Sequence, residues 1–511
     1  MDPHRNISLL TDRNLDAGRG EKTALITGDG GRVTFAEVHA LASRFAAHLR
    51  DRGVQREQRV VLVMDDTPRF HAAFLGSIRA GAIPVPVNFL ARASDFAYVM
   101  SDAYAVLAIS DAVFLDKVGP EAERLGVPLL IGGGGDVDPH DSVDAWIADG
   151  PDHVDPLDSH PDDPAFWLYS SGSTGRPKGV VHLQHDVAVT CERYAVAVLG
   201  LSSEDRVFST TKLFHAYGLG NGLSFPLYVG ATAVQMTGRP TPDKALATIE
   251  AHRPTVLFSV PALYNAMLAH PDVATRDLSS MRLGASAAEA LPADVWRRWH
   301  DRTGTEILDG IGSTEMLHIY CSNRPGQVRP GSSGTPVPGY ELQLRDPDGV
   351  GGIMEGEAEG ELWVSGASAL ACYWHNDAKT RRSLHGQWFF SGDRYRRDAD
   401  GCYWYEGRAD DMIKVKGLWV SPVEIENRLI EHEAVREAAV VGVPHDGLTT
   451  IVAHVILADG HDGGDELSTQ LQDWCKAELL RYQYPHQVQY VDDLPRTATG
   501  KVQRFRLRAD A

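Results

Sequence analysis

Cysteine is scarce and scattered in this chain. Its 511 residues contain five, Cys191, Cys321, Cys372, Cys402 and Cys475, with no C-x-x-C spacing. That pattern excludes a disulfide framework and a structural zinc ribbon, and it fits a reducing compartment. No run of about 18 apolar residues occurs, so no membrane span is expected. Met1 is followed by Asp2–Pro3–His4–Arg5 rather than an apolar signal region, and the expected location is the cytoplasm. Positive charge is also short: 49 Lys and Arg face 69 Asp and Glu, for a net charge of −20. Such a field argues against a nucleic-acid surface, and any anionic substrate needs cations gathered locally. No repeat of roughly 20–50 residues is present. What remains is an ordinary globular composition, 43% hydrophobic, with length for two or three domains and a large core.

Strand-like and helix-like patterns alternate from residue 22 to 110. Phe35 to Arg52 has helical spacing, Arg59 to Met64 reads as a buried strand, Phe70 to Ala80 as a helix and Ala82 to Val87 as the closing strand. The pattern recurs at Val207–Ser209, Ala231–Val234 and Val256–Ser259. Apolar strands alternating with helices predict an α/β sheet covered on both faces. Residues 132–164, rich in Gly, Asp and Pro, read as surface loop. Short alternating strands dominate Leu342 to Tyr405, and a small α+β pattern follows Arg408. The expected architecture is a large α/β domain with a β-rich subdomain, residues 1–409, and a small mobile α+β domain, residues 410–511.

The chemistry concentrates first in Tyr169 to Gly179. Eleven residues hold three glycines, the hydroxyls of Ser170, Ser171, Ser173 and Thr174, and the cations Arg176 and Lys178, between two apolar strand-like runs. Glycines let backbone N–H groups approach phosphate oxygens, hydroxyls donate to them, and cations neutralise charge. The spacing is not G-x-x-x-x-G-K-[ST], so this is not the common triphosphatase loop. Further along, Lys212 to Gly220 places an imidazole and a phenol among glycines, and Asp309–Gly310–Ile311–Gly312–Ser313–Thr314–Glu315 ends a strand with a hydroxyl and a carboxylate. Ser391–Gly392–Asp393, Gly407–Arg408–Ala409–Asp410–Asp411 and Pro495 to Lys501 complete the set.

Together these segments resemble the adenylate-forming superfamily of acyl-CoA synthetases, adenylation domains and luciferases, in order and over essentially the whole chain. Asp309 to Tyr320 and Trp419 to Glu426 resemble the benzoate–CoA ligase branch. The resemblance implies an acid–thiol ligase reaction in two steps: a carboxylate attacks the α-phosphate of ATP, and a thiolate then displaces AMP. It implies that Lys501 bridges carboxylate and α-phosphate, that Ser170, Ser171, Gly172, Ser173, Thr174, Gly175 and Lys178 grip the outer phosphates, and that Thr314 meets the α-phosphate. Glu315 would hold Mg²⁺, Asp393 and Arg408 the ribose, and Ala287, Asp309 and Gly310 the adenine side. Ala216, Tyr217, Gly312, His318 and Ile319 would line an aryl pocket in which small residues leave room for the ring, with His215 gating it. Asp410 would be the hinge that turns the small domain, and Gly417 would line the coenzyme A entry.

The chain departs from the superfamily in having Ala288 in place of Gly, Ser391 in place of Thr and Lys416 in place of the branch's Ser; Leu448 to Val452 lacks the usual lysines. The implied partners are a benzoate or substituted benzoate, ATP and coenzyme A, with no nucleic acid and no membrane. A carrier-protein thiol or an amine is the alternative acceptor, a non-catalytic ATP or aryl-acid sensor is a further alternative, and a monomer and a homodimer both remain open. Because charge neutralisation dominates the first step, Lys501→Ala is expected to slow aryl-dependent pyrophosphate exchange by about 10²–10³-fold; an unchanged exchange rate would contradict the bridging role.

Overall fold

A computed structural model describes residues 5–134, 137–170, 176–346, 352–409, 411–415, 418–445, 448–480, 482–496 and 502–509. The α/β expectation holds in the first 340 residues. A four-stranded sheet runs in the order Ile83–Pro86, Arg59–Val63, Ala105–Asp111, Leu129–Gly132, all parallel. Strands buried on both faces explain their unbroken apolar runs. The helix Phe35–Asp51 starts where Thr34 Oγ1 accepts the Glu37 N–H and the Glu37 carboxylate accepts the Thr34 N–H. Its apolar face packs on Pro68–Ala80, with Phe45 and Phe74 fully buried.

A nine-stranded sheet forms the second layer system. Its inner strands Ile307–Gly312, Leu283–Ser286, Val256–Ser259, Arg206–Ser209, Thr232–Val234 and Thr23–Ile26 are parallel, and antiparallel strands close both edges. Pro164–Ser170 and Lys178–Leu183 form an antiparallel hairpin, to which Cys372–Tyr373 adds a third strand. Glu341–Arg345, Ala358–Ser365, Trp388–Arg397 and Tyr403–Arg408 belong to a separate antiparallel sheet. Beyond it, Val435–His445, Leu448–Leu457 and Gln487–Tyr490 make a three-stranded sheet with the helices Pro422–Ile430 and Asp465–Glu478.

One local expectation needs correction. The segment expected to be loop contains a short helix, Val143–Ala148. Ser142 caps it by accepting the Ala145 N–H, and Val143 and Trp146 are buried, so two apolar anchors stabilise a turn that composition alone hid.

The first helix, Leu9–Asp16, is tied to the rest by a buried ion pair. Arg79 donates from Nη1 and Nη2 to the two carboxylate oxygens of Asp12, each at 2.8 Å, and both side chains are at most 4% exposed. Burial alone would raise the Asp12 carboxyl, but the Arg79 guanidinium brings it below its ordinary range. Removing one partner strands a buried charge. Arg79→Met is therefore expected to destabilise the large domain by about 3–5 kcal/mol, read as a lowered urea midpoint.

Candidate nucleotide and acid site

The hairpin sets Ser170 directly opposite Lys178 in register, at the mouth of the glycine-rich loop. Its base is anchored from outside. Tyr169 donates its hydroxyl to Asp102 at 2.7 Å, the Trp374 N–H donates to the Gly179 carbonyl at 2.8 Å, and the Arg176 guanidinium lies 5.2 Å over the Tyr98 ring. Ser171, Gly172, Ser173, Thr174 and Gly175 lie outside the described residues, as do Asp410, Gly417 and Lys501.

The Thr314–Glu315 segment follows the strand Ile307–Gly312 as a short 3₁₀ turn, Thr314–Met316. The cap of that turn is Ser313, whose Oγ accepts the Met316 N–H at 3.2 Å. This frees the Glu315 carboxylate from a capping role. Instead Glu315 Oε1 accepts the Tyr373 hydroxyl at 2.8 Å, and the Glu315 carbonyl accepts the Leu370 N–H at 2.7 Å. Leu317, with φ 64° and ψ −34°, turns the chain back sharply. A half-buried carboxylate engaged by the protein at one oxygen suits Mg²⁺, which takes one or two carboxylates and fills its shell with phosphate and water.

A cation stands beside the same tyrosine. Lys379, on the helix Asp377–Ser383, has its ammonium 5.5 Å from the Tyr373 ring centre. Burial first, then the charge of Lys178, lowers its pKa, while Glu315 opposes and Arg408 adds to the repulsion. Lys178, Lys379, Arg408 and Glu315 therefore share one electrostatic neighbourhood. Arg408 and Asp393 face each other across neighbouring strands, with Nη1 donating to Asp393 Oδ1 at 3.1 Å. Asp393 follows Gly392 at φ 74°, where a Cβ would fall 2.7 Å from Arg408 Nη2.

The acid-side residues form a second group. His215 precedes the helix Ala216–Leu219 in extended conformation, half-buried against the Phe214 ring, and the helix runs on into a π turn, Gly220–Ser224. The His318 ring sits among Tyr194, Tyr217 and Phe225, with centroids 5.2, 5.3 and 4.5 Å away. Its Nε2 is hydrogen-bonded to Asn221 Oδ1 at 3.1 Å. Burial pushes its pKa down to about 3, so the ring is neutral near pH 7. The Tyr217 hydroxyl, Asn221 Nδ2 and His318 Nδ1 are buried without a hydrogen-bond partner among the described residues. Ala216 and Ile319 are buried beside them.

Glycine at 312 has a backbone reason of its own: a Cβ there would lie 2.5 Å from the His318 carbonyl oxygen, so packing requires glycine whatever a ring needs. Gly310 is likewise pressed against the Cys321 carbonyl, at 2.7 Å from a would-be Cβ. In the segment expected to face adenine, Ala287 is buried, and exposed Ala288 sits at φ 80°. The departure from glycine thus puts a methyl group on a left-handed backbone, a strain of about 1–2 kcal/mol. Asp309 is turned inward, 2% exposed, with Oδ2 accepting the Leu291 N–H at 3.2 Å.

The sequence reading passed over Tyr373, Lys379, Asn221 and His182, whose neighbours come from elements distant in sequence, and Asp186, whose partners His182, Leu183 and His185 are local but form no recognised spacing. The nearest signal was Asn221, immediately after the Gly218–Leu219–Gly220 run.

A hairpin flanking a phosphate-type loop, cations and a carboxylate within electrostatic range of Lys379, and a buried aromatic group define a nucleotide-dependent acid-activating site. The AMP-binding enzyme family model matches residues 12–374 and the AMP-binding enzyme C-terminal domain model matches 424–501; the chain belongs to this family. It is 46% identical to the benzoate–CoA ligase of Thauera aromatica over 505 residues, covering 98% of this chain and 95% of that one. The crystal structures of a benzoate CoA ligase from Burkholderia xenovorans LB400 superpose with a TM-score of 0.90 at 43% identity, covering 98% and 99% of the two chains. The anthranilate CoA ligase AuaEII in complex with anthranoyl-AMP superposes at 0.95 with 39% identity, covering 100% and 98%.

Burial holds the Asp309 carboxyl up at about 8, against 3.8 when exposed. The folded state therefore binds this proton more tightly than the unfolded chain. Its stabilising effect is complete below about pH 4, fades as pH rises through the interval up to about 8, and is gone above it. Relative to Asp309→Asn, wild-type stability is expected to fall between about pH 5 and pH 8, by at most about 1.4 kcal/mol per pH unit. Parallel urea midpoints for the two proteins would keep a constant difference across that range if Asp309 were ionised in the fold.

Proposed function

We propose that this protein is a benzoate-type acid–CoA ligase: it activates a benzoate or substituted benzoate with ATP and Mg²⁺ and transfers the aryl group to coenzyme A. The observation that carries this reading is that Lys178, Arg408 and Glu315 all lie within electrostatic range of Lys379, in a chain of net charge −20 that also holds the buried Asn221–His318 pair among aromatic rings. A strongly acidic protein holds like-charged cations together at a cost, and an anionic ligand such as a polyphosphate offsets it.

In the first half-reaction a carboxylate oxygen bonds to the α-phosphorus, the bond to the β-phosphate bridging oxygen breaks, and pyrophosphate leaves. Ser170, Lys178 and the hydroxyls of the adjoining loop hold the departing phosphates, and Lys379 adds charge to the same region. Thr314 orients the α-phosphate, and Asp393, supported by Arg408, accepts the ribose hydroxyls. Glu315 would hold the divalent cation, which would supply neutralisation of phosphate charge, and Tyr373 fixes the direction of that carboxylate. Lys501 arrives from the small domain to bridge carboxylate and α-phosphate. Neutral His318 adds no charge to the aryl wall that it forms with Ala216, Tyr217 and Ile319.

In the second half-reaction the coenzyme A thiolate attacks the acyl carbon, the bond to the phosphate oxygen breaks, and AMP leaves. The division at 409/410, the hinge at Asp410 and the role of Gly417 belong to this proposal. Two apolar clusters built wholly from residues after 412, around Ile413–Val455–Leu471 and Ala439–Leu494–Leu507, support a separately packed C-terminal unit. Incubation with ATP, Mg²⁺, benzoate and coenzyme A is expected to yield benzoyl-CoA, AMP and pyrophosphate in equal amounts, measured by mass spectrometry. No thioester from benzoate or any hydroxy-, amino- or halobenzoate would refute it.

A further inference from the structure

One buried histidine joins the two segments assigned to the nucleotide, and no nucleotide-binding motif includes it. His182 lies on the strand Lys178–Leu183, four residues after Lys178 and fully buried. Side chains alternate along a strand, so residues four apart share a face, and the pairing from Lys178 to His182 has no register shift. Both ring nitrogens are engaged. Nδ1 lies 2.8 Å from Asp186 Oδ2, and Nε2 lies 2.7 Å from the Thr314 backbone carbonyl. The Phe166 ring stacks on the imidazole, with centroids 5.3 Å apart and planes 25° apart. The ring is thus held on a face and at both nitrogens.

The carbonyl it reaches is a sensitive one. Thr314 opens the 3₁₀ turn that carries Glu315, and the same carbonyl also accepts the Leu317 N–H at 3.1 Å, where the backbone takes positive φ. The Thr314 and Glu315 side chains both depend on how that peptide is aimed. Asp186 is fixed in turn: Oδ2 also accepts the Leu183 N–H at 3.0 Å, Oδ1 lies 3.1 Å from His185 Nε2, and the carboxylate is fully buried. The carboxylate aims the imidazole, and the imidazole aims the Thr314 peptide.

We infer that His182, oriented by Asp186, is a positioning residue for adenylation. It locks the Thr314–Glu315 turn to the strand that carries Lys178, so that both grips on the nucleotide keep one spacing. This inference rests on the ligase reading above and adds a residue to it. The strut touches no reacting atom. It serves the step at the α-phosphate, and attack of coenzyme A on a preformed aryl-adenylate does not call on the spacing between the outer-phosphate grip and Thr314.

The side chain's two contacts can be separated by substitution. The Gln amide nitrogen can stand in for Nε2 and reach the Thr314 carbonyl, whereas the Asn amide can stand in only for Nδ1 and reach Asp186. His182→Asn is expected to lower benzoate-dependent pyrophosphate exchange by about 10–100-fold, the order of loss that a misplacement of about 1 Å produces. Thioester formation from synthetic benzoyl-adenylate and coenzyme A should change less than about twofold, and His182→Gln should recover most of the exchange. Asp186→Asn, which keeps the imidazole in place but loosens its aim, should show the same split at smaller amplitude and serves if His182→Asn does not fold. Equal loss in both half-reactions, or equal loss in the Asn and Gln variants, would overturn the inference and leave the ligase reading standing. Absence of exchange in the wild-type protein with every benzoate tried would overturn both.

Discussion

Like charges must be held close together for this site to exist, and much of its architecture serves that constraint. Lys178, Lys379 and Arg408 come from a hairpin strand, a short helix and a strand of a different sheet. Nothing in their mutual interaction favours proximity; the burial and repulsion felt by Lys379 record the cost. Backbone pairing supplies the restraint. Cys372–Tyr373 pairs with Val180–Val181, which carries the helix with Lys379 toward the strand with Lys178, and Trp374 extends the contact to Gly179. Arg408 is fixed by its ladder with Asp393. The carboxylates of Glu315 and Asp393 moderate the repulsion without saturating it.

The acid side follows the opposite electrostatic rule. His318 is neutral because burial denies it charge, and it is surrounded by rings rather than ions. The two environments meet over a few residues, between Gly312 and Thr314, where a parallel strand of the large sheet ends. Ligands of open α/β sheets gather outside the carboxyl ends of their strands, and this junction obeys that rule. A reacting carboxylate attached to an apolar ring has the same division, and the proposed reading sets its charged end toward the cations and its ring toward His318 and Tyr217. The glycines at the junction serve backbone contact, with Gly312 against His318 and Gly310 against Cys321. The peptide path is therefore tightly specified where the two halves of the site touch.

Much of the element pattern was legible from residue order. Val256–Ser259 is a strand with the bounds its residues predict, and Phe35–Asp51 is the helix that the apolar spacing predicts. The helix Val143–Ala148 escaped notice because it is short and its anchors Val143 and Trp146 sit within a stretch rich in Gly, Asp and Pro. Among site residues, Thr314, Glu315, Asp393 and Arg408 stand in motifs with chemical content. Tyr373, Lys379, Asn221 and His182 do not. Tyr373 lies 58 residues from Glu315 in sequence, and His182 lies 132 from Thr314, so local pattern carries no trace of either pairing.

The sequence by itself determined which chemistry was available: a hydroxyl- and glycine-rich loop, a Thr–Glu turn, an Asp–Arg pair and aromatic residues, each with an inherent affinity for phosphate, cation, ribose or ring. These are properties of side chains and short spacings, and they survive without a fold. Tertiary structure alone decided which groups meet, what protonation they hold and where glycine is obligatory. Asp309 shows the difference most plainly. In sequence it is a carboxylate near other site residues; in the fold it is a buried acid bonded to the Leu291 amide, because desolvation outweighs the hydrogen bonds that would keep it ionised. Spacing along the chain cannot encode that balance, since it depends on how much water the surrounding elements exclude.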